Sequence, residues 1–133
     1  PTQPPVRQGL RGYRGTWTRP AEASYYYSIM HLRVTGRVLR RGRAVRVAGE
    51  AWLDREWSSN FLAPEAQGWD WTGLNFDDGS ALMAFRIRRK GGGVLWAGGS
   101  LRRRDGTTWV LGPKDVAFRP LATWRSRATG AVY

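Results

Sequence analysis

Apolar and polar side chains alternate along most of the chain from residue 25 onward, as they do in half-buried β-strands. In the first such segment Met30, Leu32, Val34 and Val38 alternate with polar and basic residues. A second alternating segment covers 45–53. Further strands are predicted at 69–76, 81–88, 94–102, 109–111 and 115–118. No stretch has the period of a long helix, and residues 65–67 are expected to form one helical turn at most.

Turn signals separate these strands at fairly regular intervals. Asp78-Gly79 and Asp105-Gly106 are Asp-Gly pairs, which tolerate the positive φ of a tight hairpin, and 40–43 and 91–93 are further turns. Short strands joined in this way predict an all-β antiparallel sheet that becomes a barrel or a sandwich. Residues 1–24 are rich in Pro and Gly and lack a period, so we predict an irregular arm or linker before a domain at 25–133.

Composition narrows the classes of protein that this chain can be. Its 133 residues fit one domain, and 17 aromatic residues are too many for a disordered basic tail. Without cysteine the chain has no disulfide, thiolate zinc site or cysteine nucleophile, and one histidine cannot build a histidine-rich metal site. We therefore expect no metal and no cofactor. No apolar run approaches the roughly 20 residues of a membrane span.

The net charge of +12 raises the question of nucleic acid, because 20 of the 22 basic residues are arginines. Arginine runs beside aromatic residues can follow phosphates and stack on bases. The runs at 40–43, 86–90 and 102–104 lie mostly at strand ends and turns, however, and are separated along the chain. We expect loose binding of polyanions at low salt and no specific nucleic-acid partner.

The segment 49–59 has the highest density of candidate chemistry. Alternation places Trp52, Asp54 and Glu56 on one face of a strand and Trp57 on the other. Carboxylates at i and i+2 lie about 7 Å apart at Cα, a spacing that suits general acid–base catalysis. Mutual repulsion and a flanking Trp favour one protonated and one ionised group. The structural alternative is that both acids pair with arginines.

A second constellation is Gly68-Trp69-Asp70-Trp71. Trp69 and Trp71 share one face and form either a wall that stacks on a ring-shaped ligand or part of a packed core. Asp70 is a third candidate acid, although alternation turns it to the opposite face unless a bulge intervenes.

Two further residues are candidates for ligand binding. Tyr27 belongs to a run of three tyrosines, which more commonly pack or line a rim. His31 has the parity of Arg33 and Arg37, which predicts an outer, polar face.

Several of these segments together resemble a known family, the lipocalin-like proteins grouped with AttH and carotenoid 1,2-hydratase and often labelled predicted secreted hydrolases. The similar segments are YYYS at 25–28, GEAWLDREWSS at 49–59, GWDW at 68–71, LNFDDGSALM at 74–83, PLATWRS at 120–126 and TGAVY at 129–133. The resemblance implies a lipocalin-like antiparallel β-barrel over roughly 23–133, and a secreted or periplasmic bacterial protein. Because the family has two tandem barrels, the chain resembles only their join and most of the second one.

An incomplete barrel has exposed edges, so we expect the chain to pair with a second copy as a dimer. The resemblance implies hydratase or hydrolase chemistry on a small ring-containing or apolar substrate, with Asp54, Glu56 and Asp70 as acids and bases. A glycoside hydrolase that uses the paired carboxylates is one form of this hypothesis. The alternatives are a lipocalin-like module that binds a small ligand without turnover and, less favoured, a polyanion binder.

Overall fold

The computed structural model describes residues 3–9, 13–14, 24–58, 60 and 62–133. Its strands are β1 (Val6–Arg7), β2 (Tyr13–Arg14), β3 (Ser24–Arg40), β4 (Arg43–Trp57), β5 (Ala66–Asn75), β6 (Ala81–Arg89), β7 (Val94–Arg102) and β8 (Thr108–Leu111). The described residues contain strands and turns and no helix, which confirms the all-β fold class.

The strands form two antiparallel sheets. In the first, β1, β2 and β4 each pair with the long strand β3. The second has the simple order β5-β6-β7-β8, in which each strand pairs with the next along the chain. No strand of one sheet pairs with a strand of the other in the part of the chain that is described, so the barrel is not closed.

A small hydrophobic core joins the inner faces of the two sheets. Its buried members are Val6, Tyr26 and Met30 from the first sheet and Ala81, Met83 and Phe85 from the second. Trp52 and Ile87 pack against this cluster. Because Val6 is a buried member of this core, the segment 3–9 helps to hold the sheets together.

Most strand predictions are confirmed within a few residues, and β7 has the predicted bounds of 94–102. The predicted strand at 115–118 is wrong. Residues 116–118 are irregular, and Asp115 ends a turn in which its amide donates to the Gly112 carbonyl (3.0 Å) and the Gly112 amide donates to Asp115 Oδ2 (2.8 Å). Pro113 lies inside this turn and cannot donate to a strand ladder.

The outer half of the β3–β4 hairpin extends away from the core as a two-stranded ribbon, here defined as residues 33–50. Its residues are exposed on both strands. A bulge marks the root of the ribbon, because the pairing of Ile29 with Leu53 is followed by that of Leu32 with Ala51. Met30 and His31 therefore oppose the single residue Trp52. This bulge adds one residue to β3 and changes the face of the sheet toward which its side chains point.

Candidate functional site

A cavity of about 330 Å³ opens between the two sheets near one end of the core. Its lining residues are Ser24, Tyr26, Asp54, Glu56, Trp57, Ser58, Asn60, Leu62, Trp69, Trp71, Phe85 and Ile87. The volume lies at the lower end of the range found for small-molecule pockets, about 300–1,000 Å³. Two exposed carboxylates and a partly exposed aromatic wall therefore share one open cavity of ligand size.

Strand alternation brings the two carboxylates to this cavity. Asp54 pairs across the strands with Ser28, and Glu56 pairs with Tyr26, so both acids lie on the inner face of the first sheet. The Ser24 hydroxyl donates a hydrogen bond to Glu56 Oε1. The predicted placement of both acids on one strand face is confirmed.

A chain of buried polar groups fixes the orientation of Asp54. Its Oδ1 accepts hydrogen bonds from Ser28 Oγ (2.6 Å) and from the Trp52 indole nitrogen (2.7 Å). Behind Ser28, Gln8 Nε2 donates to Ser28 Oγ (2.9 Å), and Gln8 Oε1 accepts from Ser100 Oγ (2.7 Å). Gln8 and Ser28 are fully buried, so the network has no water to replace a lost partner.

Replacing Ser28 by Ala should lower the free energy of unfolding by about 1–3 kcal/mol, because the buried amide of Gln8 loses its acceptor. Urea denaturation of the variant measures this loss. Thr123→Ala, which removes an exposed hydroxyl in the C-terminal segment, is the control and should change stability by less than about 0.5 kcal/mol. Equal stability of the two variants would contradict a structural role of the network.

Tyr26 is the tyrosine that reaches the cavity. Its hydroxyl accepts a hydrogen bond from the Trp71 indole nitrogen (3.1 Å), which links the two sheets. Burial, followed by the neighbouring charge of Asp54 and a hydrogen bond to it, raises the pKa of Tyr26 well above its ordinary value. The phenol therefore stays neutral and can act as a hydrogen-bond donor to Asp54.

The aromatic wall comes from the second sheet. Trp69 pairs with Ile87 and Trp71 with Phe85, so all four side chains lie on the inner face. Trp71 also meets Trp52 edge to face, with ring centroids 6.1 Å apart and planes at 77°. The predicted wall of Trp69 and Trp71 thus faces the predicted carboxylate pair.

Asp70 lies on the other face of the second sheet and does not join the pair. It sits opposite Arg86, whose Nε donates to Asp70 Oδ2 (2.5 Å), and Arg88 Nε lies 3.8 Å from the same oxygen. The bulge in β5 falls between Ala66 and Gly68, too early to turn Asp70 inward. Asp70 therefore fits the alternative interpretation, in which the acid pairs with arginine.

The parity of His31 predicted an exposed face, and this prediction is wrong: the residue is buried, with 6% of its surface exposed. The bulge in β3 turns it toward the core with a φ of 50°. Its Nδ1 lies 2.7 Å from Glu50 Oε2 and its Nε2 lies 2.9 Å from the Ser80 carbonyl oxygen. Both ring nitrogens are engaged: the Glu50 contact lies within the first sheet, and the Ser80 contact reaches the second sheet, away from the cavity.

The remaining predicted ligand-binding residues, Tyr27 of β3 and Trp52 and Trp57 of β4, have different positions relative to the cavity. Trp57 borders the cavity, while its ring stacks on Tyr25 (5.7 Å between centroids) and meets Tyr27 edge-on (6.3 Å). Tyr27 pairs with Arg55 on the outer face and is not a lining residue. Trp52 acts through Asp54 and does not line the cavity itself.

Several residues of the cavity lining and of the network behind Asp54 carried no interpretable signal in the sequence. Ser24 and Ser28 share the inward parity of Tyr26, which could have indicated them once the strand was placed. Gln8 lies in the Pro-rich arm, Asn60 and Leu62 in a loop, and none of these three follows a period. Among the described residues, no three His, Cys, Asp or Glu side chains are grouped as they would be to hold a metal ion.

Fold and site together define an all-β protein with an acidic, aromatic pocket between two antiparallel sheets. The chain belongs to the AttH-like family, whose model matches residues 1–133. A crystal structure of a protein from Nitrosomonas europaea assigned as an AttH is similar over 100% of this chain, with 50% identity and a TM-score of 0.92. The match covers 42% of that longer chain.

No curated protein matches this chain. Within the described part of the chain, no helix has the length and apolar character that crossing a membrane requires.

Proposed function

We propose that this chain is an acid–base enzyme, a hydrolase or hydratase that acts on a small ring-containing or apolar substrate. One observation carries the proposal: Asp54 and Glu56 line the same cavity as Trp69 and Trp71. General acid–base catalysis needs two proton-exchanging groups within reach of one substrate. Paired carboxylates beside an aromatic wall can provide both, and Asp54 and Glu56 are exposed, so a substrate can reach them.

Each acid has its own role in this mechanism, although both accept a hydrogen bond from a serine hydroxyl. Asp54 accepts from Ser28 and Trp52, which orients it as an acceptor and suits a base that activates water. Glu56 then supplies the proton, to an alkene carbon in hydration or to the leaving oxygen in glycoside hydrolysis. The indole faces of Trp69 and Trp71 would stabilise positive charge that develops on the substrate.

The experiment is a screen of the purified chain for turnover of aryl glycosides, aryl esters and isoprenoid alkenes, with tryptophan fluorescence recorded in parallel. Turnover of at least one class supports the enzyme. Saturable quenching of fluorescence without turnover of any bound compound would instead support a lipocalin-like binding module. Affinity for nucleic acid that falls steeply with salt and survives loss of both acids would support a polyanion binder.

We further propose that the two sheets are the larger part of a lipocalin-like barrel domain over residues 25–133, preceded by the arm 1–24. Support comes from the shared core and from the position of the cavity between the inner faces of the sheets. Small ligands of β-barrels are held in the same place, in the interior.

We also propose that a second copy of the chain covers the ribbon. One face of the ribbon is formed by cross-strand pairs of valine and glycine, and Val34, Val38, Val45 and Val47 are 38–51% exposed. An isolated two-stranded hairpin is at best marginally stable in water. An exposed apolar face that carries four valines therefore favours burial against a partner surface. Like faces of two ribbons could bury each other.

Sedimentation velocity at tens of micromolar should therefore show a dimer. Val47→Glu places a charge on the apolar face and should shift the equilibrium to monomer, whereas Ala48→Glu, on the opposite face, should leave the dimer intact. A wild-type chain that remains monomeric over this concentration range would rule out the second copy.

A further inference from the structure

The charge of the cavity is opposite to the charge of the chain. The protein carries a net charge of +12, yet the described lining residues include the carboxylates of Asp54 and Glu56 and no lysine or arginine. At physiological salt the Debye length is about 8 Å, so distant surface arginines contribute little inside the cavity. A ligand there meets a locally negative environment.

Asp54 differs from Glu50 and Asp70 in the kind of partner it has. Glu50 contacts His31 and Asp70 contacts Arg86, whereas Asp54 is contacted by the neutral donors Ser28, Trp52 and Tyr26. The bonds from Ser28 and Trp52 both end on Oδ1, and Tyr26 is a third neutral donor to the same carboxylate. Neutral donors orient this carboxylate and leave its charge uncompensated.

The walls beside this carboxylate favour positive charge as well. Trp69, Trp71 and Phe85 line the cavity, and the faces of aromatic rings carry negative electrostatic potential that attracts cations. Tyr26 adds a neutral phenol next to Asp54. An anionic ligand would be repelled by the carboxylates, and a neutral one would gain nothing from the charge of Asp54.

We propose that the cavity takes a small ligand with a ring and a positively charged nitrogen, an organic ammonium. Its nitrogen meets Asp54, and its ring lies against Trp69 and Trp71. A cavity of about 330 Å³ limits the ligand to roughly one ring with short substituents. This inference names the class of ligand for the cavity of the proposed function. It rests on the proposed function only because both assign a ligand to that cavity.

Isothermal titration calorimetry with three probes of similar shape tests the inference. These are phenyltrimethylammonium, its neutral isostere tert-butylbenzene, and the anion benzenesulfonate. The ammonium should bind about tenfold or more tightly than the neutral isostere, and the sulfonate should not bind measurably. Equal affinity of the ammonium and the isostere, or preference for the sulfonate, would overturn the inference without any variant.

Asp54→Asn keeps the side-chain shape and an oxygen that accepts from Ser28 and Trp52, but removes the charge. The preference for the ammonium over the isostere should weaken several-fold in this variant and keep its wild-type size in Asp77→Asn, an exposed acid outside the cavity. An undiminished preference in Asp54→Asn overturns the inference. Selective binding of the ammonium without any turnover would support this inference and contradict the proposed enzyme. Turnover confined to uncharged substrates would support the enzyme and contradict this inference.

Discussion

Asp54→Asn and Glu56→Gln should each lower turnover by about 10²–10⁴-fold on any substrate that the chain converts. Each change keeps the size of the side chain, but an amide neither releases nor takes up a proton under these conditions. Because Asn can still accept hydrogen bonds from Ser28 and Trp52, the pocket should keep its shape. Steady-state kinetics on the wild type and both variants measures the effect.

Two controls keep this expectation specific to the cavity. Circular dichroism and a urea melt must show that both variants fold like the wild type. Asp77→Asn removes an equal charge at an exposed site outside the cavity and should leave turnover unchanged. Turnover that persists at the wild-type rate in both Asp54→Asn and Glu56→Gln would exclude the paired carboxylates as the catalytic groups.

The strands of the second sheet could be predicted because their signals are local. A period of two fixes which side chains share a face, and Asp-Gly pairs mark the reversals of chain direction. For this reason β6 and β7, joined by the glycine turn at 91–93, lie where the pattern places them. The same local rule placed Asp54 and Glu56 together on one face of β4, and the cross-strand pairs show that this face is the inner one.

His31 shows where a local pattern fails. Its facing depends on a bulge, and the bulge is supported by contacts with Glu50 and the Ser80 carbonyl, 19 and 49 residues away in sequence. One inserted residue reverses the parity of everything that follows, so Leu32 and Met30 no longer share a face as the alternation suggested. Periodicity contains no information about such distant partners.

The sequence likewise predicted the acids of the site but not the residues that orient them. Asp54 could be found by its spacing from Glu56, but Gln8 and Ser100, which support it through Ser28, lie on separate segments with no shared motif. Their roles follow from the packing of residues 3–9 against both sheets. Sequence spacing finds groups on one strand, whereas the network that orients them crosses three strands.

Gly99→Ala should destabilise the fold by about 3 kcal/mol or more, because β6 and β7 approach each other too closely to admit a Cβ at this position. A Cβ built on Gly99 would lie well inside van der Waals contact of the Met83 carbonyl oxygen and 3.0 Å from Ala84 Cα. Both atoms are backbone, and β6 is held by β5 on its other edge, so relief requires shifting a central strand that carries core residues.

Gly36→Ala is the matched control for this substitution, since Gly36 is also within a strand but a Cβ there would meet nothing within 4 Å. It should cost no stability, because alanine restricts the unfolded chain and clashes with nothing in the folded one. Urea denaturation midpoints of the two variants should therefore separate widely. Equal stability of the Gly99→Ala and Gly36→Ala variants would contradict a close approach of β6 and β7 at this position. It would also mean that Met83 and Phe85 can shift without loss of the core that bounds the cavity.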